Sequence, residues 1–142
     1  MIILDTDIIS LLDRKSGDAF DRLARRFNAV PDDERVCTTI ISFEEQIRGW
    51  LAQIAAARKP VAQVIAYRRL QNLLREYQSR DVLPYDDAAA AVFTSLQRQR
   101  IRTGSMDLRI GAIALAHDAL LISRNLHDFK RIPNLSVEDW TR

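Results

Sequence analysis

Residues 106–123 read MDLRIGAIALAHDALLIS. The segment from Met106 to His117 is apolar on most sides, and a helix of that kind packs inside a protein, against a sheet. The ALLIS run that follows, residues 119–123, is short and aliphatic and reads as a buried strand. Helix then strand recurs upstream. IIL at 2–4 reads as a short buried strand, and Ile8, Leu11 and Leu12 then share one helical face. Phe20, Leu23, Ala24 and Phe27 follow the spacing of an amphipathic helix, and NAVPDDE at 28–34 reads as a turn. RVCTTI at 35–40 is β-branched and reads as a second strand. Ile47, Trp50, Leu51 and Ile54 repeat the helical pattern, and Leu70, Leu73, Leu74 and Tyr77 mark a long helix whose first turn suits Pro60. DVLPY at 81–85 is a short strand that Pro84 limits to an end or an edge. Residues 86–101 are alanine-rich and helical, DFKRI at 128–132 reads as a turn, and LSVEDW at 135–140 as a closing strand.

Strands alternating with helices imply an α/β fold with a central parallel sheet flanked by helices. Right-handed crossovers put the carboxyl ends of all its strands on one edge. A chain of 142 residues is expected to form a single domain, 1–142, and its 47% hydrophobic content can fill a core. The single cysteine, Cys37, excludes an internal disulfide framework and suits a cytoplasmic protein; with no histidine nearby it reads as a buried small residue. The start MIILDTD lacks the basic region of a signal peptide, and no run reaches the roughly 18 apolar residues of a membrane span. A formal charge of +2 permits nucleic-acid binding without demanding it, but arginine outweighs lysine and clusters in QRQRIR (97–102) and SRNLHDFKR (123–131).

Polar groups gather at the expected carboxyl edge. Asp5 ends the first strand, Glu44 and Glu45 open the helix after the second, Asp107 opens the buried helix, and Ser123, Asn125 and Asp128 follow the LLIS strand. Asp5 and Asp7 admit three readings: a helix cap, a nucleophile with its acid/base partner, or a metal ligand at the end of a parallel strand. Asp107 also reads as a cap, Glu45 as a first-turn acid favoured by the helix dipole, and Asn125 and Asp128 as turn formers. Their joint placement favours chemistry. Converging carboxylates repel one another unless a cation joins them, and oxygen ligands without a Cys or His set select Mg²⁺ or Mn²⁺, one ion or two. Asp7 is expected to cap the following helix or support the ligand shell. His117 and His127 read as structural or solvent-facing, since such chemistry needs no imidazole.

These residues resemble the PIN domain and, within it, the VapC-type toxin ribonucleases of bacterial toxin–antitoxin pairs. ILDTDIISLL (3–12) is similar to the family's strand followed by LDTN. ISFEEQIRG (41–49) resembles its second motif, a glutamate four residues before a glycine, which selects Glu45 with Gly49. Residues 103–140 resemble its C-terminal third: an aspartate opening a buried helix, a strand, a T-x-N-x-x-D-F pattern and a closing tryptophan. The resemblance implies a PIN-like three-layer sandwich and Mg²⁺- or Mn²⁺-dependent endonucleolytic cleavage of RNA, with tRNA as the substrate towards which the C-terminal third leans. It also implies a cognate antitoxin and a homodimer. Asp5, Glu45 and Asp107 take the metal-binding positions, Asn125 the fourth polar position, and Asp128 an outer or water-positioning role. Asp7 stands where asparagine is more usual, Ser123 where threonine is commoner, and Asn125 where many relatives have aspartate, which puts a second metal in doubt. The stretch from Arg58 to Arg80 is longer than in many short members and is expected to shape RNA or antitoxin contacts.

Arg98, Arg100, Arg102, Arg124 and Lys130 are expected to grip RNA phosphates around the acidic pocket. Two rivals stand beside this reading. One is a PIN-like module that binds RNA without cutting it. The other is a haloacid-dehalogenase-like phosphatase, in which Asp5 would be the nucleophile and Asp7 its acid/base partner; no lysine follows a strand between Lys59 and Lys130 to complete it.

Overall fold

The computed structural model describes residues 1–142. The chain runs β1 (Ile2–Leu4), α1 (Thr6–Arg14), α2 (Asp18–Phe27), β2 (Val36–Thr39), α3 (Ile40–Ala56), α4 (Pro60–Gln78), β3 (Val82–Leu83), α5 (Asp87–Arg98), α6 (Ser105–Ala116), β4 (Leu120–Ile122), α7 (Leu126–Phe129) and β5 (Val137–Glu138). The strands form one sheet in the order β3-β2-β1-β4-β5, and every pair is parallel. The expected α/β architecture is borne out, and β3, followed at once by Pro84, lies at an edge.

Alternation along the strands divides the core between the two faces, because successive side chains on a strand point to opposite sides. Ile3 and Leu121 join Cys37, Leu83 and the apolar residues of α5 and α6. Ile2, Leu4 and Ile122 point the other way, onto Ile8, Ile9 and Leu11 of α1, Leu23 of α2, and Trp140. Helix α6 is buried at Leu108 and from Ile110 through Ala114. Gly111 makes room there: a Cβ would stand 2.6 Å from Ile132 Cδ1, so a larger residue would have to displace that side-chain tip where the segment after α7 packs over the helix.

Some local expectations are corrected. The turn expected at 128–132 begins earlier, as a helical turn over residues 126–129 that the Asn125 side chain caps by accepting from Asp128 N–H at 3.4 Å. The closing strand is confined to Val137–Glu138. Helix α3 begins at Ile40 because Thr39 ends β2 as an N-cap, its hydroxyl accepting from Ser42 N–H at 3.1 Å. Glu45 therefore sits in the second turn of α3 and does not open it. Asp107 is the third residue of α6, not its cap; Gly104 holds that position.

The strand order also locates a site. From β1 the chain adds β2 and β3 on one side and β4 and β5 on the other, so the direction of winding reverses between β1 and β4. Open parallel sheets bind ligands outside the carboxyl ends of their strands at such a reversal. The residues that leave those two strands are Asp5 and Ser123.

Candidate active site

Asp5 is the N-cap of α1: Oδ1 accepts from Thr6 N–H at 2.7 Å. Its Oδ2 accepts from the Ser123 hydroxyl at 2.6 Å, and Ser123 Oγ in turn accepts from Asn125 N–H at 3.0 Å. The ends of β1 and β4 are thus joined through one buried carboxylate, 6% exposed. Asp7 does not cap α1. It lies in the first turn, where its Oδ2 accepts from Arg124 N–H at 3.0 Å and its buried Oδ1 has no hydrogen-bond partner.

Glu45 reaches the same edge from α3, where its Oε1 accepts from Thr6 Oγ1 at 3.0 Å. Asn125 joins two further acids: its Nδ2 donates to Asp107 Oδ2 at 3.1 Å and to Asp128 Oδ2 at 3.0 Å. A neutral amide thus supplies hydrogen bonds, but no charge, between two carboxylates.

The electrostatics are one-sided. Burial, reinforced by the charges of Asp7 and Asp107, pushes the Asp5 carboxyl up to about 7 against the opposing hydrogen bonds from Ser123 and Thr6. Asp7 is raised chiefly by burial. Burial also raises Glu45, with Asp107, Glu44 and Asp7 adding to it, and Asp107, with Asp128 and Asp7 adding to it. None of Asp5, Asp7, Glu45, Asp107 and Asp128 forms an ion pair with lysine or arginine, although Glu44, one residue away, pairs with Arg48.

As the side chains stand, no three acidic, histidine or cysteine groups close on a single ion. The donor chemistry nevertheless fits a hard divalent cation. It is all oxygen, the acids raise one another's pKa values, and Asp7 keeps an orphaned buried oxygen.

The basic residues singled out in the sequence are all exposed: Arg98 in the last turn of α5, Arg100 and Arg102 in the link to α6, Arg124 after Ser123, and Lys130 at the end of α7. That link borders the site, since Thr103 Oγ1 donates to Asp128 C=O at 3.2 Å and Arg131 donates to Arg102 C=O at 2.6 Å. Cys37 is buried, and His127 is exposed with its ring against Arg131. A Cβ at Gly49 would meet open space, so nothing in the structure explains a glycine there.

Two features had no signal in the sequence. One is a chain of hydrogen bonds behind Glu45: Tyr77 OH donates to Gln46 Oε1 at 2.6 Å, Gln46 Nε2 to Ser10 Oγ at 3.3 Å, and Ser10 Oγ to Thr6 C=O at 2.9 Å. The other is the arrival of Arg22 and Arg142 beside Arg124 at a cavity adjoining Asp7 and Asn125.

No family model matches the chain. Individual proteins do. Ribonuclease VapC1 of Haemophilus influenzae strain R2866 is 28% identical over 141 residues, 99% of this chain and 98% of that protein. The tRNA(fMet)-specific endonuclease VapC of Salmonella typhimurium is 27% identical over 124 residues, 84% of this chain and 85% of the relative. Ribonuclease VapC2 of Rickettsia felis is 41% identical over a shorter stretch of 49 residues, 34% of this chain and 37% of that protein. Among solved structures, VapBC-1 from nontypeable Haemophilus influenzae matches with a TM-score of 0.74 at 25% identity, covering 100% of both chains. The fold is that of a PIN domain. This protein is similar to VapC ribonucleases over its full length, the likeness its sequence motifs also carry.

Proposed function

We propose that this protein is the toxin of a toxin–antitoxin pair, a cytoplasmic endoribonuclease that hydrolyses RNA phosphodiester bonds with the help of Mg²⁺ or Mn²⁺. One observation carries the metal dependence. Five acids meet at one sheet edge with no ion pair to lysine or arginine, and one of them, Asp5, is pushed to about 7. Asp5, Glu45 and Asp107 would hold the cation. When bound, such an ion lowers the pKa of a water and offsets charge developing on a phosphoryl group.

The chain's own residues have separate tasks in this reading. Ser123 and Thr6 N–H fix both oxygens of Asp5, so its carboxylate is oriented before anything binds. Thr6 Oγ1 orients Glu45 in the same way. Asn125 holds Asp107 and Asp128 in register, and Asp128 would orient a water. The ribonuclease and tRNA(fMet)-specific endonuclease names of the relatives support RNA, with tRNA as the leading substrate class. The phosphatase alternative gains nothing: both oxygens of Asp5 are engaged, and Asp7 is turned towards Arg124 N–H.

The partner reading has its own support. The structural neighbours include VapBC complexes. Between α3 and α4 runs a groove of about 440 Å³ lined by Phe43, Ile47, Tyr67, Leu70, Leu73 and Leu74. Leu51, Val61, Val64 and Ile65 extend that uncovered apolar surface, the kind a protein partner covers. We assign it to the antitoxin; homodimerisation is part of the same proposal. No helix is long and apolar enough to cross a membrane.

The test is cleavage of total cellular RNA with Mg²⁺ or Mn²⁺, beside EDTA and an Asp5→Asn protein. Discrete fragments are expected only with both metal and Asp5, with a loss on the order of a thousandfold in the variant. Cleavage that survives EDTA, or that Asp5→Asn leaves intact, would overturn the metal reading.

A further inference from the structure

We infer that the cavity beside the acidic centre, on its β4–β5 side, is a phosphate subsite that holds the RNA backbone next to the phosphodiester being cut. This rests on the nuclease reading above and adds to it where the strand lies. The cavity measures about 450 Å³, within the range of ligand-sized sites. Asp7 and Asn125 form its wall towards the acidic centre, and Arg22, Arg124 and Arg142 supply its positive charge.

The three arginines come from distant parts of the chain and are held differently. Arg22, on α2, donates from Nε to Thr141 C=O at 2.6 Å. That bond orients the guanidinium and leaves both Nη groups for a ligand. Arg124 is exposed, its backbone is pinned by Asp7 Oδ2, and its side chain enters no ion pair. Arg142 pairs through Nε with Asp139 Oδ2 at 2.9 Å. The acid in that pair is already satisfied, since Asp139 Oδ1 also accepts from Thr141 N–H at 2.9 Å and Thr141 Oγ1 at 2.6 Å. Asp139 thus competes little for Arg22 and Arg124.

An oriented arginine with free Nη groups matches phosphate oxygens as a two-pronged donor. The neighbouring acidic centre repels an RNA strand until a cation joins it, so the strand needs a positive hold close by. Contacts of this kind set register on the backbone and carry no base preference. The subsite therefore predicts a grip that is insensitive to sequence and sensitive to salt.

The test measures binding of a labelled single-stranded RNA oligonucleotide over a salt series with Mg²⁺ present. All proteins carry Asp107→Asn so that the RNA is not consumed. In that background Arg22→Gln with Arg124→Gln is expected to weaken binding at least about tenfold. It should also flatten the slope of log K against log[salt] by roughly 1.4, two single-strand phosphate contacts. Arg124→Gln alone removes no internal hydrogen bond of the side chain and should flatten the slope by about 0.7. It keeps the test decisive if the double variant folds poorly. Unchanged affinity, or a loss of affinity with an unchanged slope, would overturn the subsite. So would an effect confined to Arg98→Ala, Arg100→Ala and Arg102→Ala, which would route the strand over the α5–α6 link. In these cases metal-dependent cleavage by the wild type would leave the nuclease reading standing. If the parent binds no RNA and the wild type cuts none, both fall together.

Discussion

The carboxyl edge of the sheet and the α3–α4 hairpin are incomplete in opposite ways. At the edge each acid is held by at least one hydrogen bond: Asp5 by Ser123 and Thr6, Asp7 by Arg124 N–H, Glu45 by Thr6, Asp107 and Asp128 by Asn125. What is missing there is positive charge. The hairpin carries arginines but leaves Tyr67 57% and Leu74 53% exposed beside an apolar groove. What is missing there is apolar cover. A buried group of like charges calls for a small hard ion, whereas an open apolar face calls for a macromolecule, because the first is an electrostatic deficit and the second a hydration one. The two regions meet at Tyr77, which packs edge-on against Phe43 of the groove and begins the hydrogen-bond chain that ends at Thr6 and Glu45.

The largest effect expected from this contrast lies at Asp5. Its carboxyl titrates near 7 in the folded protein against an ordinary 3.8, so the folded state binds more protons than the unfolded one across that window. This group's contribution to stability is greatest below about 4, falls as pH rises towards 7, and is level above. Without divalent cations, Asp5→Asn should gain stability relative to wild type between pH 4 and pH 8, by up to about 4 kcal/mol. Denaturant unfolding at the two pH values measures it. Added Mg²⁺ should raise the wild-type Tm more at pH 8 than at pH 5. A wild-type-minus-variant difference that is flat with pH would break the charge-deficit half of the contrast.

On the hairpin, Tyr67→Asp with Leu74→Asp should weaken the complex with the cognate antitoxin about a hundredfold, near 3 kcal/mol. Both side chains are more than half exposed, so stability should change by no more than about 0.5 kcal/mol per site. RNA cleavage should stay at the wild-type rate. Titration calorimetry alongside a cleavage assay checks both. An unaltered complex would place the partner elsewhere.

The smallest effect probes the connection. Tyr77→Phe leaves Gln46 Oε1 without its donor and should destabilise by about 1 kcal/mol. If the chain positions Glu45, kcat should fall about threefold while KM holds. A stability loss with kcat unchanged would make the chain a structural tie only.

The layers of the fold were legible because burial writes itself into local sequence. IIL, the all-round apolar face of residues 106–117, and ALLIS each had to be buried on both sides, and each became β1, α6 or β4. The acids at the strand ends were legible for a related reason: a charged residue directly after a buried run marks where the chain leaves the core. Their roles within each helix were not. Glu45 lies in the second turn and Asp107 third in its helix because both helices start upstream, after Thr39, whose hydroxyl caps α3, and after Gly104, and a helix boundary is set locally rather than by a periodic pattern.

By itself, then, the sequence determined a parallel α/β sheet, the residues of its core and an acidic carboxyl edge, since apolar periodicity and parallel crossovers are local and directional rules. Only the tertiary structure decided the strand order that sets Asp5 against Ser123. It alone set the amide of Asn125 between Asp107 and Asp128, and brought Arg22 and Arg142 to Arg124. Each of these joins residues far apart in the chain through the packing of whole elements, and no local pattern records which element will lie beside which.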